Sequence, residues 1–194
     1  MVSRYIRQMR LLWLKYKHKQ LFMGHNVTID SKTKINVFQH KCTISDNVVL
    51  RSTSKGYHAG MPFGTTIFID VPKASVFIGK NCRLNGVYIH AQSSITIGKN
   101  CVIAAGVNII DSNGHIIKKK NRTVGRDTPQ SINIGENVWI GLNSIILKGT
   151  EIGNNSVVSA GSVVKGVFPE NSIISGNPAK VIDYIKIKNE NSDT

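Results

Sequence analysis

His115 lies in the segment Ile109 to Ser131, IIDSNGHIIKKKNRTVGRDTPQS, four residues after Asp111 and just ahead of Lys118–Lys120, Arg122 and Arg126. A histidine takes up and releases a proton near neutral pH, so this residue is the natural candidate for general acid–base work. Asp111 could orient that imidazole or simply start the turn DSNG. The cations could grip a bound anion or form a solvated loop. The cysteines suggest less. Cys42, Cys82 and Cys101 form no CxxC pair and are odd in number, which fits neither a disulfide framework nor a zinc site.

What positions these residues is a six-residue beat. Aliphatic side chains recur at Ile134, Ile140, Ile146, Ile152, Val158 and Val164, in words such as IGENVW, IGLNSI and IGNNSV. The fifth place of each hexad is small: Val138, Ser144, Thr150, Ser156, Ser162. Upstream the beat returns with slips, through Ile29 to Ile35, Ile44 to Leu50, Ile78 to Leu84, and Ile97 through Ile103 to Ile109. The stretch Arg51–Lys73 is off register, and SKGYHAGMPFG within it reads as a loop. The second interruption is the His115 segment.

A period of six is neither helical nor simple strand alternation. It predicts short strands joined by tight corners and wound as a parallel β-helix, with three hexads per triangular coil. Each coil buries three aliphatics worth roughly 1.5–3 kcal/mol apiece. Ordering its backbone costs roughly 1–2 kcal/mol per residue. A lone coil is therefore unstable, and stacking must supply the rest. Cys82 and Cys101 occupy fifth places, where a small corner residue is expected.

The chain has 194 residues, 41% of them apolar, which suits one domain with a sizeable core. Its formal net charge is +14. Basic residues gather in the first twenty positions and near Lys118, not along a groove. With no interleaved aromatics and no nucleic-acid motif, nucleic acid is not an expected partner. No apolar run is long enough to span a bilayer. The opening MVSRYIRQMRLLWLKYKHKQ has too short an apolar block for a signal peptide. Ile6, Met9, Trp13 and Tyr16 recur there at helical spacing among arginines and lysines. This predicts a basic amphipathic helix over 1–23, capping the first coil, meeting a partner subunit, or docking on an anionic membrane face. The β-helix is expected over 24–182 and a tail over 183–194. A cytoplasmic setting follows, at the inner membrane face if the helix docks there.

The words NVWIGLNSIILKGTEIGNNSVVSAGSVVKG and SGNPAKVI resemble the bacterial hexapeptide-repeat acyltransferases. The likeness is to the maltose and galactoside acetyltransferases and the O-acetyltransferases of capsule and other surface polysaccharides. It covers roughly Ile78 to Ile182. It implies a left-handed helix, a homotrimer, acetyl-CoA as acyl donor and no metal. It also implies that the interrupting loop reaches toward a neighbouring subunit with His115, of the pair Gly114-His115, as catalytic base.

By the same resemblance Asn85 falls on the acceptor side; His90, near an aliphatic hexad position on the preceding coil, and Asp111, in the loop, are expected to face the same site. Trp139, Ala160, Lys165 and Lys180 match coenzyme contacts. Two departures stand out: Leu142 replaces the hydroxyl residue common after VWIG, and Asp183 replaces a basic residue after AKVI. The chemistry needs a base for the attacking hydroxyl, aimed donors for the oxyanion, and both substrates held together. The implied function is O-acetylation of a sugar hydroxyl in surface polysaccharide or glycoconjugate assembly. The alternative is N-acetylation of a nucleotide-linked or lipid-linked amino sugar. A zinc-dependent carbonic anhydrase on the same helix would need three histidines, and none follows His115. A scaffold without activity would have no use for the looped histidine.

Overall fold

The structure is a computed structural model that describes residues 9, 12–14, 16–38 and 40–186. Its strands, numbered in chain order, form three stacks. The first holds β1 (Leu21–Met23), β4 (Lys41–Ile44), β7 (Ser75–Ile78), β10 (Ser94–Ile97), β13 (Ile132–Ile134), β16 (Glu151–Ile152) and β19 (Val167–Phe168). The second holds β2 (Thr28–Ile29), β5 (Val49–Arg51), β8 (Arg83–Asn85), β11 (Val102–Ile103), β14 (Trp139–Ile140), β17 (Val157–Val158), β20 (Ser172–Gly176) and β21 (Ala179–Tyr184). The third holds β3 (Lys34–Asn36), β6 (Thr66–Ile69), β9 (Tyr88–Ala91), β12 (Asn108–Ile110), β15 (Ile145–Leu147) and β18 (Val163–Val164). Successive strands visit the three stacks in turn, and neighbours within a stack run parallel except β20 and β21. This is a triangular parallel β-helix.

The hexad aliphatics fill its interior. Ile44, Leu50, Ile78, Leu84, Ile97, Ile103, Ile109, Ile140, Ile146, Val158 and Val164 are all fully buried. The fifth-place residues are buried too, and their hydroxyls serve the corners. Thr150 Oγ1 donates to the Leu147 and Val164 carbonyls at 2.6 and 3.1 Å, and Ser162 Oγ to the Ser159 carbonyl at 2.7 Å. Cys82 and Cys101 do the same with sulfur, reaching the Gly98 and Gly135 carbonyls at 3.0 and 3.1 Å.

Another corner is built on asparagine. Asn47, Asn81, Asn100, Asn137 and Asn155 all have φ between 55° and 62°, a left-handed conformation that asparagine tolerates. Their amides stack from coil to coil, as in Asn47 Nδ2 to Asn81 Oδ1 at 3.0 Å and Asn81 Nδ2 to Asn100 Oδ1 at 2.9 Å. The adjoining glycine column is required by close approach: a Cβ on Gly98 would lie 2.5 Å from the Gly135 carbonyl oxygen.

Three boundaries differ from the sequence reading. The segment 1–23 is not all helix, because Leu21–Met23 is already strand β1, paired with Cys42–Ile44. Leu14 joins the core, whereas Met9, Trp13 and Tyr16 are exposed; Ile6 lies outside the described residues. The off-register stretch Arg51–Lys73 contains β6, which pairs in register with β3 and β9, so only the residues between Arg51 and Thr66 leave the prism. At the other end β21 folds back on β20 as far as Tyr184, so the strand includes Asp183 and the tail begins after it.

Candidate functional site

The loop carrying His115 is tied down at both ends. Asp111, fully buried, accepts the backbone N–H groups of Gln92 and Ser93, each at 2.7 Å. Burial pushes its carboxyl above the ordinary range, against the pull of those two donors. The returning arm is held by Asp127. Its Oδ2 accepts Lys148 Nζ at 2.6 Å and the Asn113 N–H at 2.8 Å, so one carboxylate joins both arms to the end of β15. Desolvation opposes its charge, but the bonds from Lys148 and Asn113 outweigh it and hold the carboxyl below its usual range.

Between these anchors His115 is exposed, and its Nδ1 lies 2.8 Å from the Arg122 carbonyl oxygen. A carbonyl oxygen only accepts, so Nδ1 carries the hydrogen. In the neutral ring Nε2 then keeps its lone pair. The ring lines a hollow of about 580 Å³ with Asp70, His90, Gln92 and Arg126. Asp70 organises that wall. It accepts His90 Nε2–H at 3.1 Å and Gln92 Nε2–H at 3.3 Å, and its other oxygen meets Arg126 at 3.4 Å. Burial works against its charge, yet these donors hold the carboxyl below its ordinary range. The His90 ring packs on Phe68, centroids 5.0 Å apart.

A second hollow, of about 560 Å³, lies along the second stack and holds Asn85, Trp139, Gly141, Leu142 and Ala160. Asn85 donates through Nδ2 to the Ile103 carbonyl at 3.1 Å. Tyr57 and His58, from the loop after β5, wall this hollow together with Arg51 and Arg83.

The expected site residues thus fall into two groups within one chain. His115 and His90 share the first hollow; Asn85, Trp139 and Ala160 share the second. Asp111 lies under the loop, committed to backbone. Lys165 and Lys180 are exposed and line neither hollow. Sequence reasoning missed Asp70 and Arg83, which lie outside any motif, and gave no role to Asp127 or Lys148, which lie within the quoted loop and repeat words. The loop SKGYHAGMPFG, which contains Tyr57 and His58, was legible as a loop. Among the described residues no group of three or more potential metal ligands converges, and no helix is long and apolar enough to cross a membrane.

A family model described as the hexapeptide repeat of succinyl-transferase matches residues 75–110 and 131–165, skipping the His115 loop. Protein CapG of Staphylococcus aureus is 42% identical over 120 residues, which are 60% of this chain and 70% of CapG. The chain belongs to the hexapeptide-repeat acyltransferase family. Another member, a provisionally named lipopolysaccharide biosynthesis O-acetyl transferase of Escherichia coli K12, is 39% identical over 117 residues, 55% of this chain. The match spans only 59% of that relative's length. A hexapeptide-repeat acetyltransferase of Vibrio cholerae, solved with acetyl coenzyme A, superposes with a TM-score of 0.63 at 20% identity, over 93% of this chain and 78% of its own. The shared architecture of this family is the left-handed parallel β-helix.

Proposed function

We propose that the protein is an acetyl-CoA-dependent O-acetyltransferase acting on a sugar hydroxyl in surface polysaccharide or glycoconjugate biosynthesis. The observation that carries this is the bond from His115 Nδ1 to the Arg122 carbonyl, which leaves Nε2 as the acceptor nitrogen at a hollow. In the reaction the acceptor hydroxyl gives its proton to Nε2 as its oxygen attacks the thioester carbonyl. The tetrahedral intermediate collapses, the carbon–sulfur bond breaks, and the imidazolium returns the proton to the departing thiolate. The acetyl ester and free coenzyme A leave, with no acyl group on the enzyme. The bond from Nδ1 holds one ring orientation and one tautomer through both proton transfers.

The names and titles of relatives support the donor and acceptor classes: O-acetyl transfer in lipopolysaccharide biosynthesis for one, bound acetyl coenzyme A for another. The separation of the two groups of residues suits a site completed between copies of the chain, which the family resemblance makes a homotrimer. The His115 hollow of one copy would close on the Trp139 and Ala160 hollow of the next, joining base to coenzyme. An acetyl-CoA donor supports a cytoplasmic setting, and the basic N-terminal segment suits an anionic membrane face.

The test is calorimetric titration of acetyl-CoA into the purified protein, with dephospho-CoA for comparison, followed by coenzyme A release with sugar and amino-sugar acceptors. Saturable binding and hydroxyl-dependent release are expected. Absence of binding would overturn the reading, and transfer to amines alone would replace it with N-acetylation.

A further inference from the structure

The hollow that contains Asn85 and Trp139 has two chemically different ends. It runs along the second stack from β5 to β17, four strand spacings or ~19 Å. One end, with Trp139, Gly141 and Ala160, is neutral. The other end has Arg51 and Arg83 on adjacent strands. The register sets Arg83 opposite Val49 and Arg51 opposite Asn85, so both arginines share the outward face with Asn85. Tyr57 and His58 close this end from the side, their rings 4.8 Å apart.

No carboxylate lines the hollow, and among the described residues neither arginine is in an ion pair. Arg51 is held in place rather than neutralised. Its Nη1 donates to the Lys55 and Gly56 carbonyls, each at 3.4 Å, and its guanidinium lies 5.9 Å from the Tyr57 ring centre. Its Nε is buried with no partner among the described residues. Arg83, on the next strand, is exposed, and the two guanidiniums make this end of the hollow positive, which favours a bound anion. Guanidinium forks match phosphate oxygens in pairs.

We infer that the Arg51–Arg83 end of this hollow binds the diphosphate of an activated sugar acceptor. This rests on the acyltransferase reading and narrows its acceptor to a sugar carried on a diphosphate, attached to either a nucleoside or a polyprenol. Asn85, on β8 with Arg83 and paired with Arg51, lies at the arginine end, beside the sugar. The acetyl-CoA arm would enter from the Trp139 and Ala160 end. The transfer step is unchanged; the arginines hold the acceptor by a group remote from the reacting hydroxyl.

The test uses the full chain, first saturated with coenzyme A so that the donor's own phosphate contacts are filled. Inorganic pyrophosphate, UDP, dTDP and farnesyl diphosphate are then titrated by calorimetry. Pyrophosphate and at least one of the larger diphosphates should bind, and Arg83→Gln should weaken both about tenfold or more. Arg83→Lys should restore part of the loss, and coenzyme A affinity should not change in either variant. Preference for UDP or dTDP marks a nucleotide sugar; preference for farnesyl diphosphate marks a lipid carrier. Arg51→Gln should act like Arg83→Gln, but it also frees the Lys55–Gly56 turn, so Arg83 is the deciding position. The proposal is overturned if no diphosphate binds, if Arg83→Gln leaves that binding intact, or if it weakens coenzyme A as much. Diphosphate binding without acetyl-CoA binding in the wild type would instead remove the donor reading and leave the arginine site standing.

Discussion

His115 Nδ1 and the Arg122 carbonyl oxygen lie 2.8 Å apart, a bond made entirely within the loop. It decides which ring nitrogen is free, and it needs no carboxylate to do so. Asp111, the nearest acidic residue before it in sequence, bonds to the N–H groups of Gln92 and Ser93 instead.

Replacing the base should separate catalysis from binding. His115→Ala is expected to lower turnover by roughly 10²–10⁴ while acetyl-CoA affinity stays near normal. His115→Asn can still donate to the Arg122 carbonyl but has no Nε2, and should be as slow as the alanine variant. Thiol release assayed beside calorimetry reads both quantities. Substantial activity in His115→Asn would remove Nε2 from the mechanism.

The Asp127–Lys148 pair should control the loop and respond to acid. Both side chains are largely buried, at 7% and 14% exposure. Asp127→Asn is expected to cost about 1–3 kcal/mol and to speed tryptic cleavage after Lys118–Arg122. The native carboxyl is held below its ordinary value. Its contribution is therefore complete above about pH 4, the unfolded aspartate value, and is lost as pH falls through the lower native value. Thermal denaturation of wild type and Asp127→Asn should converge below that point. A stability gap that persists at lower pH would refute the linkage.

Asp111 should behave as a structural carboxylate. Asp111→Ala leaves the Gln92 and Ser93 N–H groups without their acceptor, at about 1–3 kcal/mol for each buried donor. Asp111→Asn keeps part of the bonding and should lose less. Chemical denaturation of the two variants would show this order, and equal losses would contradict it.

The cysteines should be inert. All are buried, and desolvation pushes the Cys42 thiol up to about 12. An aromatic disulfide reagent should label no thiol in the native protein and all three after denaturation. Cys101→Ser should shift stability by no more than about 1 kcal/mol, because serine fills the equivalent corner at Ser144, Ser156 and Ser162. Rapid labelling of the native protein would show the corners to be open.

Much of this molecule was legible in the chain. The β-helix followed from the six-residue beat, since a buried aliphatic every sixth residue fits short strands joined by tight corners and not an α-helix. The ejected loop followed from the interruption of that beat, and the family followed from words such as VWIG and GNPAK. These are local signals, repeated often enough to survive individual slips. The slip over Arg51–Lys73 concealed β6, because the loop ahead of it shifts the count and only pairing with Ile35 and Ile89 restores it.

The tertiary structure decided the rest. Asp70 reaches Arg126 across 56 residues and Arg51 faces Asn85 across a turn of the coil, pairings that no spacing in the chain encodes. It also set His115 in one hollow and Trp139 in another, and gave Asp111 to the backbone. The sequence by itself determined the scaffold, because the scaffold is periodic and its energy is local burial. The site is aperiodic, made from single side chains that meet only after the coils have stacked, and so it became visible only in three dimensions.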